Sequence, residues 1–557
     1  MKRIINTVLI LATLSSAGFT LNSCQDALDI VQPGELEAGD LYTTVSNLNE
    51  ALIGVYGEME PADEIYFTAV FTDEVKPGSG SGGQEYELHR FFIDPSSAVV
   101  TGGTVSTTTS NGIWLNNYRV INRINRLLEG AKGITPSSAT ETAQYNNILA
   151  QARAIRAYCY VQLEAYFSTN MKDATALGVI LLKDVPSTEA QLPRSANQDI
   201  YNFINEDLDY ARGILTYATT NSKYYADKRF VNALSARFNL YRGNTTLAKQ
   251  YAQDVISNSG LSLTVATPIT GSNPLINGGA GGNSGALQNP ATPAWNNAFY
   301  GGDTTANGNG LLGSFNPYRN IWNDATSSRG EVLFSLNRLP LGAGASIGVR
   351  WNTNSSAASG VPMWFLGRNL FNLIYSAPNT TDKGDIRRYT YIDPTSVIAA
   401  NYLDIDSRND RLVIDKYPGK TSAPTRNDIK VFRLSEMYFI LAEAEVAAGN
   451  LTTANGLIQQ VRAARNYLGT ATTPAYTNAQ SAYADILKER RIELALEGHR
   501  YIDLKRLATL AGVTMDRNQK DDFVTVTNLE NDSYKYTLPI PIREISANPN
   551  VKQNPGY

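Results

Sequence analysis

The sequence predicts a mainly α-helical protein: a superhelix of paired helices into which a loop-rich, irregular lobe with few short strands is inserted. Helix–glycine–helix units recur towards both ends of the chain. Between them, residues 266–430 hold no sustained helical period and are rich in Gly, Asn, Ser, Thr and Pro. The 557 residues also exceed what a single core usually accommodates, so two lobes or a repeat array are expected.

The chain opens on Lys2 and Arg3, then a mostly apolar run from Ile4 to Leu14, then small residues from Ser15 to Gly18. That run is too short to span a bilayer. The leader closes on Leu21-Asn22-Ser23-Cys24, and a Cys directly after a small residue at such a point is the pattern of a bacterial lipoprotein. Residues 1–23 are therefore read as a signal peptide and Cys24 as the lipidation site, acylated and anchored in lipid. Each buried methylene contributes about 0.8 kcal/mol, and two or more chains hold firmly.

In residues 24–265, Asn47–Met59 and Ile113–Glu129 form a first helical pair. The run from Asn147 to Phe167 places Ile148, Ala152, Ile155, Cys159, Gln162 and Tyr166 on one stripe, with Ala152, Ala154 and Ala157 allowing close helix approach. Asn197–Leu215 follows, with Ser195 or Asn197 as its cap. Arg229–Tyr241 and Thr245–Ile256 are broken at Arg242-Gly243-Asn244, where Gly243 suits a left-handed C-cap. The grammar returns in residues 431–557 as Phe432–Ala448, Gly449-Asn450 and Thr452–Arg465. A helix, glycine turn and helix in roughly 34 residues is the tetratricopeptide unit, and up to four degenerate units are expected. Pro539, Pro541, Pro549 and Pro555 make the tail an extended strip without a helix, wrapped on the repeat lobe.

Four of the five tryptophans lie in residues 266–430, and a disordered linker would be poor in aromatics, so ordered loops are expected there. Trp364, beside Phe365 and Leu366, and Trp114, in an apolar helix, are read as core. Trp295, Tyr300, Trp322 and Trp351 are nominated as flat surfaces for a polar ligand, with Asn297, Asp303 and Arg319 bonding its rim.

A net charge of −4 gives a polyanion no electrostatic footprint, which argues against nucleic acid. With Cys24 acylated, Cys159 is the only other thiol, so no intramolecular disulfide forms and Cys159 is read as a small buried hydrophobe. His89 and His499 are too far apart in sequence to suggest a metal centre or a relay. No cofactor or metal is expected, calcium at a loop being left open. Glu489, Glu493 and Glu497 recur every four residues among apolar neighbours and imply a partly buried ionic network paired with Arg490, Arg500 or arginines elsewhere. Neither a nucleophile elbow nor an HExxH string is read in the chain, so it is not expected to be an enzyme.

The stretch KERRIELALEGHRYIDLKRL at 488–507 resembles the C-terminal helix and turn of the SusD-like (RagB/SusD) family of surface nutrient-binding lipoproteins. FRLSEMYFILAEAEVAAGN at 432–450, Ile458–Arg465 and LPIPIREISANPNVKQNPGY at 538–557 are similar in the same order, as are 113–130 and 153–167 more weakly, so the resemblance covers nearly the whole length. Arg387-Arg388 after Asp382 sits where that family tends to carry an Asp and Arg pair, and Asp26 and Asp29 resemble its surface-export signal. The resemblance implies an outer-membrane, lipid-anchored protein facing the cell exterior. It would capture oligosaccharides and deliver them to a partner TonB-dependent transporter barrel. The alternative is a peptide-capturing or purely protein-binding repeat scaffold of the same system.

Overall fold

The computed structural model describes residues 41–78, 80, 83, 85–93, 95, 110–217, 222–266, 318–324, 329–351, 362–374, 384–392, 412–420, 423, 425–522 and 528–557. Among these, helices dominate and the strands are short two-stranded pairs. Cys24 lies outside the described residues.

α1 (Val45–Glu58) starts where the Thr44 side chain accepts the Asn47 N–H, and it buries Leu48, Leu52 and Val55. α2 (Ala62–Phe71) is buried on every face, as expected of a helix running through the core. β1 (Val75–Pro77) and a single turn, α3 (Tyr86–His89), lead to α4 (Ser110–Ala131). α5 (Ala139–Phe167) begins eight residues earlier than the apolar stripe suggests, because Ser138 caps it by accepting the Glu141 N–H. Ala150, Ala152, Ala154 and Ala157 are all fully buried along it. After the antiparallel pair β2 (Leu177–Ile180) and β3 (Arg194–Ala196) comes α6 (Asn197–Ile214). Neither nominated cap acts there: the Asn197 amide instead donates to the carbonyls of Asn170 and Asp173, tying the preceding loop down.

α7 (Lys228–Tyr241) and α8 (Thr245–Asn258) form the hairpin read from the sequence, with Gly243 at φ 80° in the turn. β4 (Val332–Leu336), β5 (Trp364–Leu366), α9 (Arg368–Ile374) and the turn α10 (Arg388–Tyr391) belong to the irregular part. β5 pairs antiparallel with β1, and β4 pairs antiparallel with β6 (Ile429–Arg433). β6 corrects the expected helix start at Phe432. Val431 to Arg433 are extended, the Phe432 ring meets Phe230 at 5.3 Å, and α11 (Leu434–Ala447) begins only after the strand.

α12 (Leu451–Ala464), α13 (Ala479–Glu493) and α14 (Arg500–Ala511) complete the repeat lobe. Each helix packs on its neighbours in turn, and α8 packs directly on α11 although residues 259–433 separate them in the chain. The result is the tetratricopeptide-like α-α superhelix expected. The proline-spaced tail departs from expectation at one place: α15 (Ile542–Ala547) forms directly after Pro541, whose fixed φ suits a helix start. The rest is extended and pinned. Leu538 N–H donates to Tyr166 O at 2.8 Å, and Arg194 Nη1 reaches both Lys552 O and Asn554 Oδ1.

Cys159 is a free, buried thiol, and Trp114 and Trp364 are core residues. Glu164, in the last turn of α5, accepts the Val179 N–H at 3.0 Å and lies close to Gly178, where a Cβ would meet its Oε1 at 2.3 Å. Burial pushes its carboxyl up to about 8, against the opposing pull of Arg194 and Lys505. A raised carboxyl stabilises the fold below its unfolded value and loses that contribution as pH rises to the folded one. Glu164→Gln should therefore match the wild type near pH 4.5 and exceed it by a few kcal/mol at pH 8. Urea unfolding of both proteins at the two pH values checks this, and an equal difference at both would rule it out.

Candidate functional site

The rings nominated from sequence divide in two. Trp295, Asn297, Tyr300 and Asp303 lie outside the described residues. Trp322, Trp351 and Arg319 are described, and all three are core residues where a ledge was expected. Trp351 is sealed against Tyr66 at 5.4 Å. Trp322 packs edge-on against Tyr417 at 5.7 Å, and its face carries Lys416 at 4.2 Å, Arg433 at 5.2 Å and Lys430 at 5.5 Å. Arg319 pairs with Asp415 at 2.5 Å. For Trp322 and Arg319 the reason is charge: buried cations need π faces or carboxylates around them, and the Trp322 ring supplies the one and Asp415 the other.

The carboxylates are those of the Glu489, Glu493, Glu497 series. Glu489 and Glu493 lie on α13, whereas Glu497 follows its end, beyond a left-handed residue at Leu496 with φ 60°. Glu493 Oε1 accepts from Arg433 Nη1 and Arg465 Nη2, both at 2.8 Å, and Oε2 from Arg465 Nε at 3.1 Å and Arg387 Nη1 at 3.2 Å. Arg433 also reaches Glu331 at 2.7 Å and Glu497 at 2.8 Å, while Lys416 reaches Glu497 at 2.7 Å. The partners are thus arginines elsewhere; Arg490 pairs with Asp503 and Arg500 with Asp73. Burial alone would raise Glu493, but Arg465, Arg433 and Arg387 hold it well below the usual carboxylate range. Burial brings Lys416 down to about 8 against the pull of Glu497.

Among the described residues the side-chain partners of these glutamates are arginines, a lysine and tyrosines, with no histidine, serine or cysteine side chain bonded to them. The string Gly344-Ala345-Ser346-Ile347-Gly348 does spell Gly-x-Ser-x-Gly, which corrects the expectation that the chain holds no such string. Its context is not the strand–turn–helix of a nucleophile elbow: Ser346 follows a loop and precedes a short 3-10 turn at Ile347–Arg350. Its carbonyl accepts the Tyr66 hydroxyl. His89 Nδ1 is bonded to Val70 O at 3.0 Å, and burial together with Arg517 holds its ring neutral. Burial, Arg237 and Arg490 do the same for His499. Among the described residues no cluster of His, Cys, Asp or Glu could hold a metal ion.

The surface carries a different set of rings, which sequence reasoning missed. Two residues of positive φ, Glu85 at 62° and Phe91 at 63°, bracket α3. Such conformations cost on the order of 1–3 kcal/mol each and persist only where surroundings enforce them. Glu85 is held by Arg350 and by the Trp364 Nε1–H at 3.1 Å. Phe91 is driven inward against Phe71 at 5.3 Å, under the Arg517 guanidinium at 4.3 Å. That inward turn sends Phe92 outward, where it is 57% exposed. Tyr86 is half-buried beside it in sequence, with the exposed Arg90 over its ring at 5.5 Å. The Ile542 N–H donates to Pro95 O at 3.0 Å, bringing the partly exposed Ile542 to the same edge. The sequence carried half of the signal: of the adjacent pair Phe91-Phe92 only one readily points into a core, but residue identity does not say which.

The described residues thus form a tetratricopeptide-like helical scaffold knit together by a buried ion cage, with an exposed ring on a separately braced turn. Residues 384–557 match the model of the SusD family. SusD-like protein P38 of Formosa agariphila is 22% identical over 100% of both chains. Among solved structures, a SusD superfamily protein from Bacteroides thetaiotaomicron aligns with a TM-score of 0.67 at 21% identity, covering 92% of this chain and 100% of that one. A laminarin-binding SusD-like protein aligns with a TM-score of 0.61 at 20% identity, covering 93% and 100%. The C-terminal part of the chain thus matches the SusD family, and the chain as a whole is similar in sequence and fold to SusD-like proteins.

Removing one partner of the cage should leave uncompensated buried charge. Glu493→Ala is expected to lose roughly 3–5 kcal/mol of stability, whereas Glu206→Ala, at an exposed carboxylate on α6, should change it by less than about 0.5 kcal/mol. Guanidinium unfolding of the two variants decides; equal losses would contradict the reading of the cage.

Proposed function

We propose that this protein is a lipid-anchored outer-membrane binding protein, not an enzyme. In this reading it captures oligosaccharides at the cell exterior and delivers them to a TonB-dependent transporter barrel. The observation that carries the proposal is the Tyr86–Phe92 edge, where an exposed ring stands on a strained, braced turn beside a guanidinium. A sugar ring has an apolar C–H face and a hydroxyl rim, so a binder needs flat aromatics to stack on and polar groups for the rim. Phe92 and Tyr86 supply the former and Arg90 and Glu87 the latter, and Trp295, Asn297, Tyr300 and Asp303 are proposed to add to them. The laminarin-binding relative with the same fold supports the glycan class. Two or three rings, each contributing about 1.5–3 kcal/mol by burial, leave roughly millimolar to micromolar affinity after ordering and association costs. Cys24 supplies the anchor in this reading, and the pattern of Asp26 and Asp29 supports the exterior face.

One feature favours the protein-binding reading as a second. The uncharged loop between Arg338 and Arg350 exposes Leu341 by 95% and Leu339 by 55%, while Arg426 holds the carbonyls of Gly342, Ala343 and Gly344 in place. Such a braced apolar knob suits a protein contact.

Native gels of the protein lacking residues 1–24, cast with a panel of soluble polysaccharides including laminarin, test the glycan reading. At least one polysaccharide should retard the wild type, and Phe92→Ala should abolish most of that retardation while leaving the melting temperature unchanged. If no polysaccharide retards the protein while a peptide or a barrel binds it, the second reading replaces the first.

A further inference from the structure

A trough of about 720 Å³ runs along α13, and none of its lining residues belongs to the Tyr86–Phe92 edge. Its size is that of a site for a small organic ligand. Ala484, Leu487, Val513 and Met515 give it an apolar lining, the exposed Lys488 and the buried Arg491 line it as well, and no aromatic side chain does. A sugar would find no ring to stack on.

The hydrogen-bonding capacity of the wall is lopsided. Its carboxylates already accept from the protein: Asp485 accepts from Arg462 Nη2 at 2.8 Å and from the Tyr476 hydroxyl at 2.9 Å. Asp516 accepts from Asn369 Nδ2 at 2.7 Å and from Arg491 Nη1 at 3.0 Å. Donors are left over. Arg491 is only 6% exposed; its Nη2 donates to Asp73 O at 3.1 Å and Asp516 O at 3.0 Å, yet its Nε finds no hydrogen-bond partner among the described residues. The Lys488 ammonium, on a side chain half open to solvent, reaches only Asp485 among the described residues, at 3.5 Å. A buried unpaired donor is costly, and an ionised acceptor is its strongest partner.

Spare cationic donors beside an apolar lining complement a molecule with an anionic, acceptor-rich head and an apolar body. We propose that the trough along α13 binds a small carboxylate with an apolar body, its head between Lys488 and Arg491 and its body over Ala484 and Met515. This site is independent of the glycan reading.

The probes are 4-methylpentanoate and its neutral counterpart 4-methylpentan-1-ol, followed by saturation-transfer NMR on the full chain in lipid nanodiscs, with empty nanodiscs as the blank. The carboxylate should bind, the alcohol about tenfold or more weaker, and Lys488→Gln should weaken the carboxylate roughly tenfold. Ala484→Phe, which fills the trough from a half-buried position, should abolish binding. Phe92→Ala should leave it intact, and both trough variants should melt with the wild type. Transfer no greater than the blank, equal binding of acid and alcohol, or wild-type binding by both trough variants would each overturn the proposal.

Discussion

The fold turns on one carboxylate. Glu493 is fully buried, and three guanidinium groups from three different parts of the chain converge on it: Arg433 from the end of β6, Arg465 from the end of α12 and Arg387 from the loop part. Isolated, such a charge would be forced to neutralise by desolvation; surrounded, it locks a strand, a helix end and a loop into one arrangement. Glu331 and Glu497 extend the same cage, and the Trp322 face covers the cations that remain. The helical superstructure and the irregular lobe therefore share their most expensive desolvated groups, and neither keeps its charges satisfied without the other.

Much of the helical lobe was legible because its signals are local. The α7–α8 hairpin follows from apolar periodicity and a glycine able to take positive φ, and α11–α12 repeats that logic. The misreadings fall where tertiary context outweighs local pattern. Phe432 and Arg433 continue a helical-looking run, yet β4 offers them a ladder and the Arg433 head must reach Glu493, so the helix waits until Leu434. α5 starts early because of a single serine, and the tail gains a helix because Pro541 stands at its entrance, where proline favours rather than blocks helix formation.

The candidate site was less legible, for a physical reason. A tryptophan in a glycine-rich loop looks the same in sequence whether it faces water or covers a cation, and the burial of Trp322 and Trp351 depends on Lys416, Lys430 and Tyr66, which lie remote in the chain. The glutamate series could be read as a buried network because charges amid leucine and isoleucine have few alternatives. Phe92 escaped notice because its outward direction is decided by the backbone of Phe91, and φ is not written in residue identity for a non-glycine residue.

The separation between the cage and the outward rings bears on how relatives of one architecture can diverge. Ion pairs and indole faces are consumed in the interior, whereas Phe92, Arg90 and Glu87 stand at the rim with few internal obligations. Substitutions at positions that share no partners add nearly independently. Drift at the rim can thus explore new recognition chemistry at little energetic penalty, while the interior lattice of charge tolerates almost no exchange.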